Sequence, residues 1–406
     1  MRPALLDLLR CPFCGGALSA GHHPPDPIEH AVLSCACGAY PVVRGVPVLR
    51  IGDEVTAAIH AIERDDLLEA GRAVLDLPAA RHPAFEAALG PGPNTFADAV
   101  RQVLPDGEGD YCALRFGDPT FVAADAVVRA IARRVPEATG PLLDVCGGCG
   151  HLTWTLTQVA AERGWPDPVL IDASFWRLLF AHRFLVPDAD LVCADVNQPL
   201  PLASAAVTLA VCNDAAHYVW SKRTLSTDML RVAGPKGWVA WTHVHAAPDA
   251  NRTAGHTLTP AHYGSLFGRR TVLAAADHAV VQAVMAGYAL PWEAPEAPGV
   301  AGAGALSLVA VPRGGDLMLP PHQPALERGP VVRNPCYAER RDGDRVIWEI
   351  ALPSPEYEAE FGALREYLPA RLEWPAAEVA DLASLARAHP DLLLRRVLLQ
   401  VPDHYL

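Results

Sequence analysis

The sequence predicts an α/β protein with a parallel sheet that binds a nucleotide-like ligand, and three observations carry this prediction. The apolar run Leu142–Val145 is followed by a glycine-rich loop and then by apolar residues at helical spacing. Further short apolar runs follow at intervals typical of strands that alternate with helices. Several of these runs end in a polar residue. Because the carboxyl ends of parallel strands meet at one edge of a sheet, we expect these polar side chains to line one crevice.

The loop after the first predicted strand is where the backbone can come closest to a ligand. Asp144 lies near the end of the apolar run, and the loop after it is reduced to glycine at Gly148 and Gly150. Glycine lets the backbone approach a ligand closely and adopt positive φ. A glycine-rich loop alone is weak evidence, so the prediction depends on the strands that follow.

The later strands supply candidate ligand-binding residues in chain order. The second apolar run ends at Asp172, 28 residues after Asp144. An acid at this place can accept hydrogen bonds from both hydroxyls of a ribose. The third run is followed by Asp195 and Val196, and the fourth runs into Asn213. Four strand ends therefore carry polar groups that suit one nucleoside.

This series of motifs resembles the class I S-adenosylmethionine-dependent methyltransferases. Residues 144–150 are similar to the family's D-x-G-x-G-x-G loop, with Cys146 where the family has its first glycine. Residues 195–202 resemble its D-x-x-x-L-P passage, and residues 229–237 resemble the turn before its fifth strand. The resemblance covers residues 139–312 and implies a Rossmann-like, seven-stranded methyltransferase sheet that binds S-adenosylmethionine. The residues implied as cofactor-binding are Asp144, Gly148, Gly150, Asp172, Asp195, Val196 and Asn213.

The resemblance implies that Asp172 binds the ribose and that Asp195, with the Val196 amide beside it, binds the adenine amino group. Cysteine adopts positive φ less freely than glycine, so the path of the loop at Cys146 is left open. Cys146 and Cys149 also form a C-x-x-C pair at a helix N-terminus, which is typical of dithiol oxidoreductases. We favour small packing residues at both positions, because the dithiol hypothesis leaves the strand-end acids unexplained.

Two cysteine pairs near the N-terminus predict a structural zinc site. The pairs are Cys11 with Cys14 and Cys35 with Cys37, and four thiolates suit tetrahedral zinc. A segment this short needs such a staple because it cannot bury a sufficient core of its own. The second pair has one intervening residue instead of two, so a histidine could replace a thiolate. The candidates are His22, His23 and His30. Unliganded cysteines, or a zinc site that has decayed, are the alternatives.

The same segment resembles the Trm112-like zinc-ribbon family. Residues 8–16 and 33–49 carry the resemblance, chiefly in the stretch Y-P-V-x-x-G-V-P-V-L. Such modules accompany methyltransferases, either as separate activator subunits or fused in front of them. The resemblance implies a scaffold or docking role for this segment.

We predict four segments along the chain. They are a Trm112-like zinc ribbon at 1–52, a helical cover or connector at 53–138, a class I methyltransferase domain at 139–313 and a C-terminal α+β accessory domain at 314–406. The last segment contains a hairpin signal at Asp342-Gly343, and helices are expected near 355–368 and 376–399. We expect it to shape the substrate pocket or to mediate a homodimer.

Composition narrows the class of protein. A chain of 406 residues is long enough for two or three domains. Its net charge of −13 argues against a nucleic-acid-binding protein, which needs clustered lysine and arginine. No apolar run reaches the length of a membrane span, and the first residues do not form a signal peptide. We expect a cytoplasmic protein with reduced cysteines that binds neither membrane nor nucleic acid.

Three histidines are the candidates for catalysis. Methyl transfer from a sulfonium is an in-line displacement with a good leaving group, so the protein mainly supplies alignment. An acceptor hydroxyl or amine that loses a proton also gains from a general base. His217 follows the fourth strand, and His243 and His245 follow the fifth. A structural role is the alternative for each of them, since most histidines at strand ends are structural.

The predicted function is S-adenosylmethionine-dependent methyl transfer to a small molecule, and the accepting atom can be oxygen, nitrogen or carbon. Residues 213–216 lack the N-P-P-Y type of sequence that nucleic-acid amino methyltransferases use. Two other functions stay open. An RNA-modifying methyltransferase of the same fold would have a basic face. A non-catalytic partner that docks another subunit through its ribbon would not bind the cofactor.

Overall fold

A computed structural model describes residues 1–21, 25–92, 94–104, 107–246, 255–312, 315 and 328–406. The chain forms two compact units. The first comprises Met1–Leu77, Ile131–Ala276 and Trp292–Leu317, and the second comprises Pro78–Ala130, Asp277–Pro291 and Met318–Leu406. The first unit contains the predicted ribbon together with the predicted cofactor-binding residues.

The strands of the described residues are β1 (Ala31–Ser34), β2 (Ala39–Val43), β3 (Val46–Pro47), β4 (Leu142–Val145), β5 (Val169–Asp172), β6 (Asp190–Cys193), β7 (Leu209–Asn213), β8 (Trp238–His245), β9 (Thr271–Ala276), β10 (Ala305–Val311), β11 (Val331–Arg333), β12 (Tyr337–Asp342), β13 (Arg345–Ile350), β14 (Arg371–Pro375) and β15 (Leu398–Gln400). The α-helices are α1 (Pro3–Leu8), α2 (Asp53–Glu63), α3 (Leu67–Val74), α4 (His82–Leu89), α5 (Phe96–Val103), α6 (Gly107–Leu114), α7 (Phe121–Arg134), α8 (His151–Arg163), α9 (Phe175–Phe180), α10 (Lys222–Ala233), α11 (Pro260–Ser265), α12 (Asp277–Ala286), α13 (Pro298–Ala301), α14 (Pro355–Phe361), α15 (Leu382–Ala388) and α16 (Asp391–Leu394).

The main sheet of the first unit has seven strands in the order β6-β5-β4-β7-β8-β10-β9. β4 to β8 pair in parallel, and β10 is antiparallel to both β8 and β9. β4 and β5 are buried along their whole length, as expected for strands covered on both faces. The strand order reverses at β4, which places a ligand-binding crevice outside the carboxyl ends of β4 and β7. The predicted seven-stranded α/β sheet is confirmed.

The N-terminal ribbon is a three-stranded antiparallel sheet, β1-β2-β3, that packs on the outer strand β6 of the main sheet. Val48 pairs in parallel with Cys193. The Leu49 N–H donates to the Cys193 carbonyl at 2.7 Å. The Arg2 guanidinium donates to both carboxylate oxygens of Asp190, at 3.0 and 2.8 Å. The ribbon thus supports the strand that leads into Asp195.

The two helices after the ribbon lie beside the end of β5. Arg50, which precedes α2, donates to the Ala173 carbonyl at 2.9 Å. Asp76, which follows α3, accepts the Trp176 N–H at 3.3 Å. These contacts place part of the predicted cover next to the strand end that carries Asp172.

The second unit contains the predicted hairpin. β12 and β13 pair antiparallel around Asp342-Gly343 with Asp342 opposite Arg345, so the hairpin is confirmed, and β14 adds a third strand. The buried Asn334 side chain holds this unit together, because it donates to the carbonyls of Gly117 and Arg396, at 2.9 and 2.6 Å. It also accepts the Cys336 N–H at 2.8 Å.

The helix expected near 376–399 is wrong as one continuous element. The residues form α15 and α16 and then β15, which pairs with β11. Pro390 lies between the two helices and cannot donate a helical hydrogen bond. Arg396, at φ 54°, ends α16 and redirects the chain toward the strand. In the described part of the chain, no helix combines the length and hydropathy that crossing a bilayer requires.

Candidate cofactor and acceptor site

The loop between β4 and α8 contains three residues with left-handed backbone. Cys146, Gly148 and Gly150 have φ of 62°, 56° and 87°. This conformation costs an L-residue about 1–2 kcal/mol, so Cys146 carries strain that the two glycines avoid. A Cβ on Gly147 would lie 2.6 Å from Oδ2 of Asp144. The loop therefore keeps the conformation of a glycine loop although a cysteine stands at its first left-handed position.

Asp172 closes β5, and two backbone groups orient its carboxylate. The Gly148 N–H donates to Oδ2 at 2.9 Å, and the Ser174 N–H donates to Oδ1 at 2.8 Å. The residue is 8% exposed. Burial raises the pKa of Asp172, although Arg177 and the two N–H groups act in the opposite direction. Each carboxylate oxygen has a second lone pair, so the carboxylate can accept hydrogen bonds from two neighbouring hydroxyls.

Asp144 is fully buried beneath the same loop. The Thr153 hydroxyl donates to its Oδ2 at 2.7 Å, whereas Oδ1 has no hydrogen-bond partner. Burial, with a smaller contribution from Asp172, raises the pKa of Asp144 to about 7. An unpartnered buried polar atom costs about 1–3 kcal/mol. A positive charge beside the loop would stabilise the ionised form of this carboxylate, and S-adenosylmethionine brings a sulfonium and an ammonium, so these residues fit that cofactor.

The remaining predicted cofactor residues lie at the same edge of the sheet. Asp195 follows β6, and its Oδ1 accepts the backbone and side-chain N–H groups of Asn197, both at 2.9 Å. Val196 is buried. Asn213 ends β7, and its Oδ1 accepts the Thr242 hydroxyl at 2.9 Å. The strand order puts these residues on both sides of the loop after β4.

The structure brings the three predicted histidines together and adds an acid. The ring centroids of His217 and His245 are 4.7 Å apart, and those of His243 and His245 are 5.0 Å apart. Asp214 Oδ1 lies 3.7 Å from His245 Nε2 and 4.0 Å from His243 Nε2. We call these four residues the histidine cluster. It occupies the carboxyl ends of β7 and β8.

His217 is fully buried, and neither ring nitrogen has a hydrogen-bond partner. Burial and then His245 lower the pKa of His217 to about 4, so the ring is neutral at pH 7. Its backbone is held in place, because the Lys222 ammonium and the His256 N–H donate to the His217 carbonyl at 3.0 and 2.8 Å. Two unpartnered ring nitrogens cost about 1–3 kcal/mol each, which a ligand at this site would recover.

Asp214 is the functional candidate that sequence reasoning missed. The available signal was its position directly after Asn213, at the end of a strand already assigned to the site. The backbone at Asp214 and His243 is left-handed, with φ of 53° and 51°. Strained residues of this kind cluster at functional sites. Their conformation depends on the neighbouring strands, so sequence patterns do not reveal it.

The four N-terminal cysteines converge as a metal site would require. The Sγ atoms of Cys11 and Cys37 are 3.5 Å apart, those of Cys35 and Cys37 3.6 Å, and those of Cys14 and Cys35 3.8 Å. A tetrahedral zinc ion with Zn–S bonds of about 2.3 Å holds its sulfurs about 3.8 Å apart. The shortened second pair therefore still permits the predicted Cys₄ geometry.

No histidine takes part in this arrangement among the described residues of the ribbon. His30 Nε2 instead accepts the Arg44 N–H at 3.3 Å. His22 and His23 lie outside the described residues. The four thiols can close a tetrahedral site without them.

Cys146 contacts Cys212 at the end of β7. The hydrogen bond with Cys212, together with burial, raises the pKa of the Cys146 thiol well above its ordinary value. Cys149 is buried. A reactive dithiol needs a lowered thiol pKa. The raised pKa of Cys146 and the burial of Cys149 favour the packing interpretation of this pair over the redox one.

No protein-family model and no curated protein matches the chain. Solved structures similar to it include S-adenosylmethionine-dependent methyltransferases and the [4+2]-cyclase SpnF. A chain in the complex between the Haloferax volcanii Trm112 methyltransferase activator and a partner described as a methyltransferase is 17% identical, with a TM-score of 0.35 over 49% of this chain and 91% of that one. A Thermotoga maritima methyltransferase is 9% identical, with a TM-score of 0.35 over 52% and 97%. The Streptomyces coelicolor geranyl diphosphate C-methyltransferase is 12% identical, with a TM-score of 0.33 over 47% and 79%.

The order β6-β5-β4-β7-β8-β10-β9, with β10 antiparallel, is the predicted seven-stranded methyltransferase sheet. The left-handed loop follows β4, Asp172 ends β5 and Asp195 follows β6. The protein thus has a mixed α/β, mostly parallel seven-stranded sheet, as in methyltransferases, with a cysteine-rich ribbon packed against it.

Proposed function

We propose that the protein transfers a methyl group from S-adenosylmethionine to a small-molecule acceptor. The single observation that carries this proposal is the setting of Asp172. Its carboxylate is oriented by the Gly148 and Ser174 N–H groups, at 2.9 and 2.8 Å, at the strand end beside the left-handed loop. This arrangement suits the two hydroxyls of a ribose.

The other predicted residues would contact different parts of the cofactor. The buried Asp144 carboxylate would stabilise the positive charge of the cofactor from beneath the loop. Asp195 and the Val196 amide would hold the adenine, and Gly148, Gly150 and Asn213 would line the space between. When bound, S-adenosylmethionine supplies the methyl group and a neutral thioether leaving group.

The histidine cluster is proposed to handle the acceptor. His243 Nε2 and His245 Nε2 lie 4.0 and 3.7 Å from Oδ1 of the Asp214 carboxylate, which helps to orient both rings. His217 is neutral at pH 7 and keeps a lone pair available. The cluster could thus position an acceptor and take up the proton that it loses.

The rim next to His217 favours a small, partly apolar acceptor. Tyr218 and Trp220 are 51% and 74% exposed on the same loop, and together they offer aromatic surface to an acceptor. The Trp220 ring lies 3.6 Å from that of His256, measured between centroids. The net charge of −13 does not favour a polyanionic RNA.

Isothermal titration with S-adenosylmethionine and S-adenosylhomocysteine tests the proposal. Asp172→Ala should weaken binding of both at least about 100-fold, because two charge-assisted hydrogen bonds contribute about 1.5 kcal/mol or more each. Asp188→Ala, an exposed acid on the same unit, is the matched control and should change binding less than twofold. Wild-type protein that binds neither ligand would refute the proposal and favour the non-catalytic partner. Methylation of RNA but of no small molecule would favour the RNA-modifying alternative.

A further inference from the structure

The histidine cluster has the composition of a metal centre. One donor atom each from Asp214, His217 and His245 lies within 4.8 Å of the others. Two imidazoles and one carboxylate form a ligand set that binds first-row divalent ions and leaves coordination positions open. This cluster is separate from the four cysteines of the ribbon, which lie elsewhere in the same unit.

The distances are close to those of a bound ion. His245 Nε2 and Asp214 Oδ1 are 3.7 Å apart. An ion with bonds of about 2.1 Å holds neighbouring donor atoms about 3.0–3.4 Å apart. Small rotations of the three side chains would close the set. His243, with Nε2 at 4.0 Å from the same oxygen, stands within reach as a fourth ligand.

The burial of His217 is the independent observation that points to a ligand. The residue is fully buried, and both ring nitrogens lack a partner. Buried polar groups are otherwise nearly always hydrogen-bonded. The ring packs against His245 and Tyr218, with centroids 4.7 and 4.1 Å away. A coordinated ion would satisfy one nitrogen and explain why this ring faces the cluster.

The surrounding charge also permits a cation. Asp214 supplies a negative charge inside the cluster. The nearby Lys222 ammonium donates to the carbonyl oxygens of His217 and Val219, so it is bound to the backbone. Lys222 thereby fixes the loop that carries His217.

We propose that Asp214, His217 and His245 bind a first-row divalent transition-metal ion, with His243 as an additional ligand, at the acceptor end of the crevice. The ion is distinct from the ribbon's zinc, since thiolates select softer ions than a nitrogen and oxygen site does. The inference that this ion aligns an acceptor oxygen or nitrogen rests on the proposed function. The inference that the ion binds at this site does not depend on it.

Metal stoichiometry of the full-length chain tests the site without any activity assay. Protein loaded with one equivalent of zinc per chain, which the four thiolates bind first, is titrated with Co²⁺, and bound metal is counted by native mass spectrometry and followed by visible absorption. We expect two ions per chain, the second without a sulfur-to-cobalt charge-transfer band. Asp214→Asn and His245→Gln should each lower the affinity for the second ion by more than about 100-fold, because loss of even an outer-sphere partner lowers metal affinity about 10- to 100-fold.

Matched variants separate the outcomes. His262→Gln, a histidine on α11 outside the cluster, should keep both ions. Cys14→Ser should lose the ribbon zinc and keep the second ion. A wild-type chain that holds a single ion, or a second ion that survives both Asp214→Asn and His245→Gln, would overturn the site. Second-ion binding in a protein that does not bind S-adenosylmethionine would leave this proposal standing while the proposed function fails.

Discussion

The pKa of Asp144 predicts how cofactor affinity depends on pH. This carboxyl is fully buried, and burial raises its pKa to about 7 in the free protein. A bound cation favours the ionised form and lowers that pKa. Affinity for a cationic ligand therefore increases as pH rises through 7 and decreases as the carboxyl becomes protonated below it.

The size of the effect follows from the fraction of ionised Asp144. With a pKa of about 7, the carboxyl is about one-tenth ionised at pH 6 and about three-quarters ionised at pH 7.5. If binding requires the ionised form, the apparent dissociation constant falls by about eightfold over this range. Asp144→Asn removes this titration while Asn can still accept the Thr153 hydrogen bond.

Titration calorimetry at pH 6, 6.75 and 7.5 measures this dependence for S-adenosylmethionine. S-adenosylhomocysteine is the matched ligand because it lacks the sulfonium charge, so its affinity should rise less. Asp188→Asn, at an exposed position, should behave like the wild type. A wild-type affinity that is constant with pH, or an unchanged increase in Asp144→Asn, would refute the reasoning.

Substitutions of Cys146, Cys14 and Asn334 test the strain, the ribbon and the second unit. Cys146→Gly should change stability by less than about 1 kcal/mol, because relief of the left-handed strain offsets the added freedom of the unfolded chain. Cys146→Val should destabilise by more than about 1 kcal/mol, which thermal melting measures. Cys14→Ser should abolish zinc binding and weaken S-adenosylhomocysteine binding, because the ribbon pairs with the strand before Asp195. Phe13→Ala, at an exposed position between Cys11 and Cys14, should do neither. Asn334→Ala should destabilise the second unit by about 3 kcal/mol, since it removes three buried hydrogen bonds, while the exposed Asp344→Ala should be neutral by the same melting measurement.

The fold could be predicted from the sequence because polar residues after apolar runs indicate the strand ends of a parallel sheet, where ligands bind. Asp172 was identified from its place after an apolar run, and the structure puts its carboxylate against the loop after β4. The edge strand β9 was missed because its alanine-rich sequence has low strand propensity. Its pairing with β10 is a tertiary contact that outweighs this propensity.

Local patterns also did not reveal the contacts made by distant segments. The pairing of Val48 with Cys193 joins two strands that are far apart in sequence. The unpartnered nitrogens of His217 depend on β7, β8 and the loop after β7 together. Sequence reasoning named His217 as a candidate, but only its packing shows that the ring has no partner inside the protein.

Asp214, whose backbone is left-handed, lies between the proposed cofactor site, which we call the donor half of the crevice, and the proposed acceptor half. Asn213 belongs to the predicted cofactor residues and Asp214 to the histidine cluster, although they are consecutive. Glycine and asparagine tolerate positive φ, whereas valine does not. Asp214→Asn and Asp214→Gly should therefore keep S-adenosylhomocysteine affinity within about twofold, because the turn after Asn213 survives.

Asp214→Val should lower that affinity by about tenfold, because a strain of 1–2 kcal/mol at φ 53° would displace the end of β7. All three variants remove the carboxylate from the histidine cluster, so all three should lose Co²⁺ binding there. Calorimetry with S-adenosylhomocysteine and with Co²⁺ separates the two effects, since only the change in S-adenosylhomocysteine affinity depends on the backbone at position 214. Equal loss of S-adenosylhomocysteine affinity in Asp214→Asn and Asp214→Val would mean that the carboxylate, rather than the turn, supports the donor half.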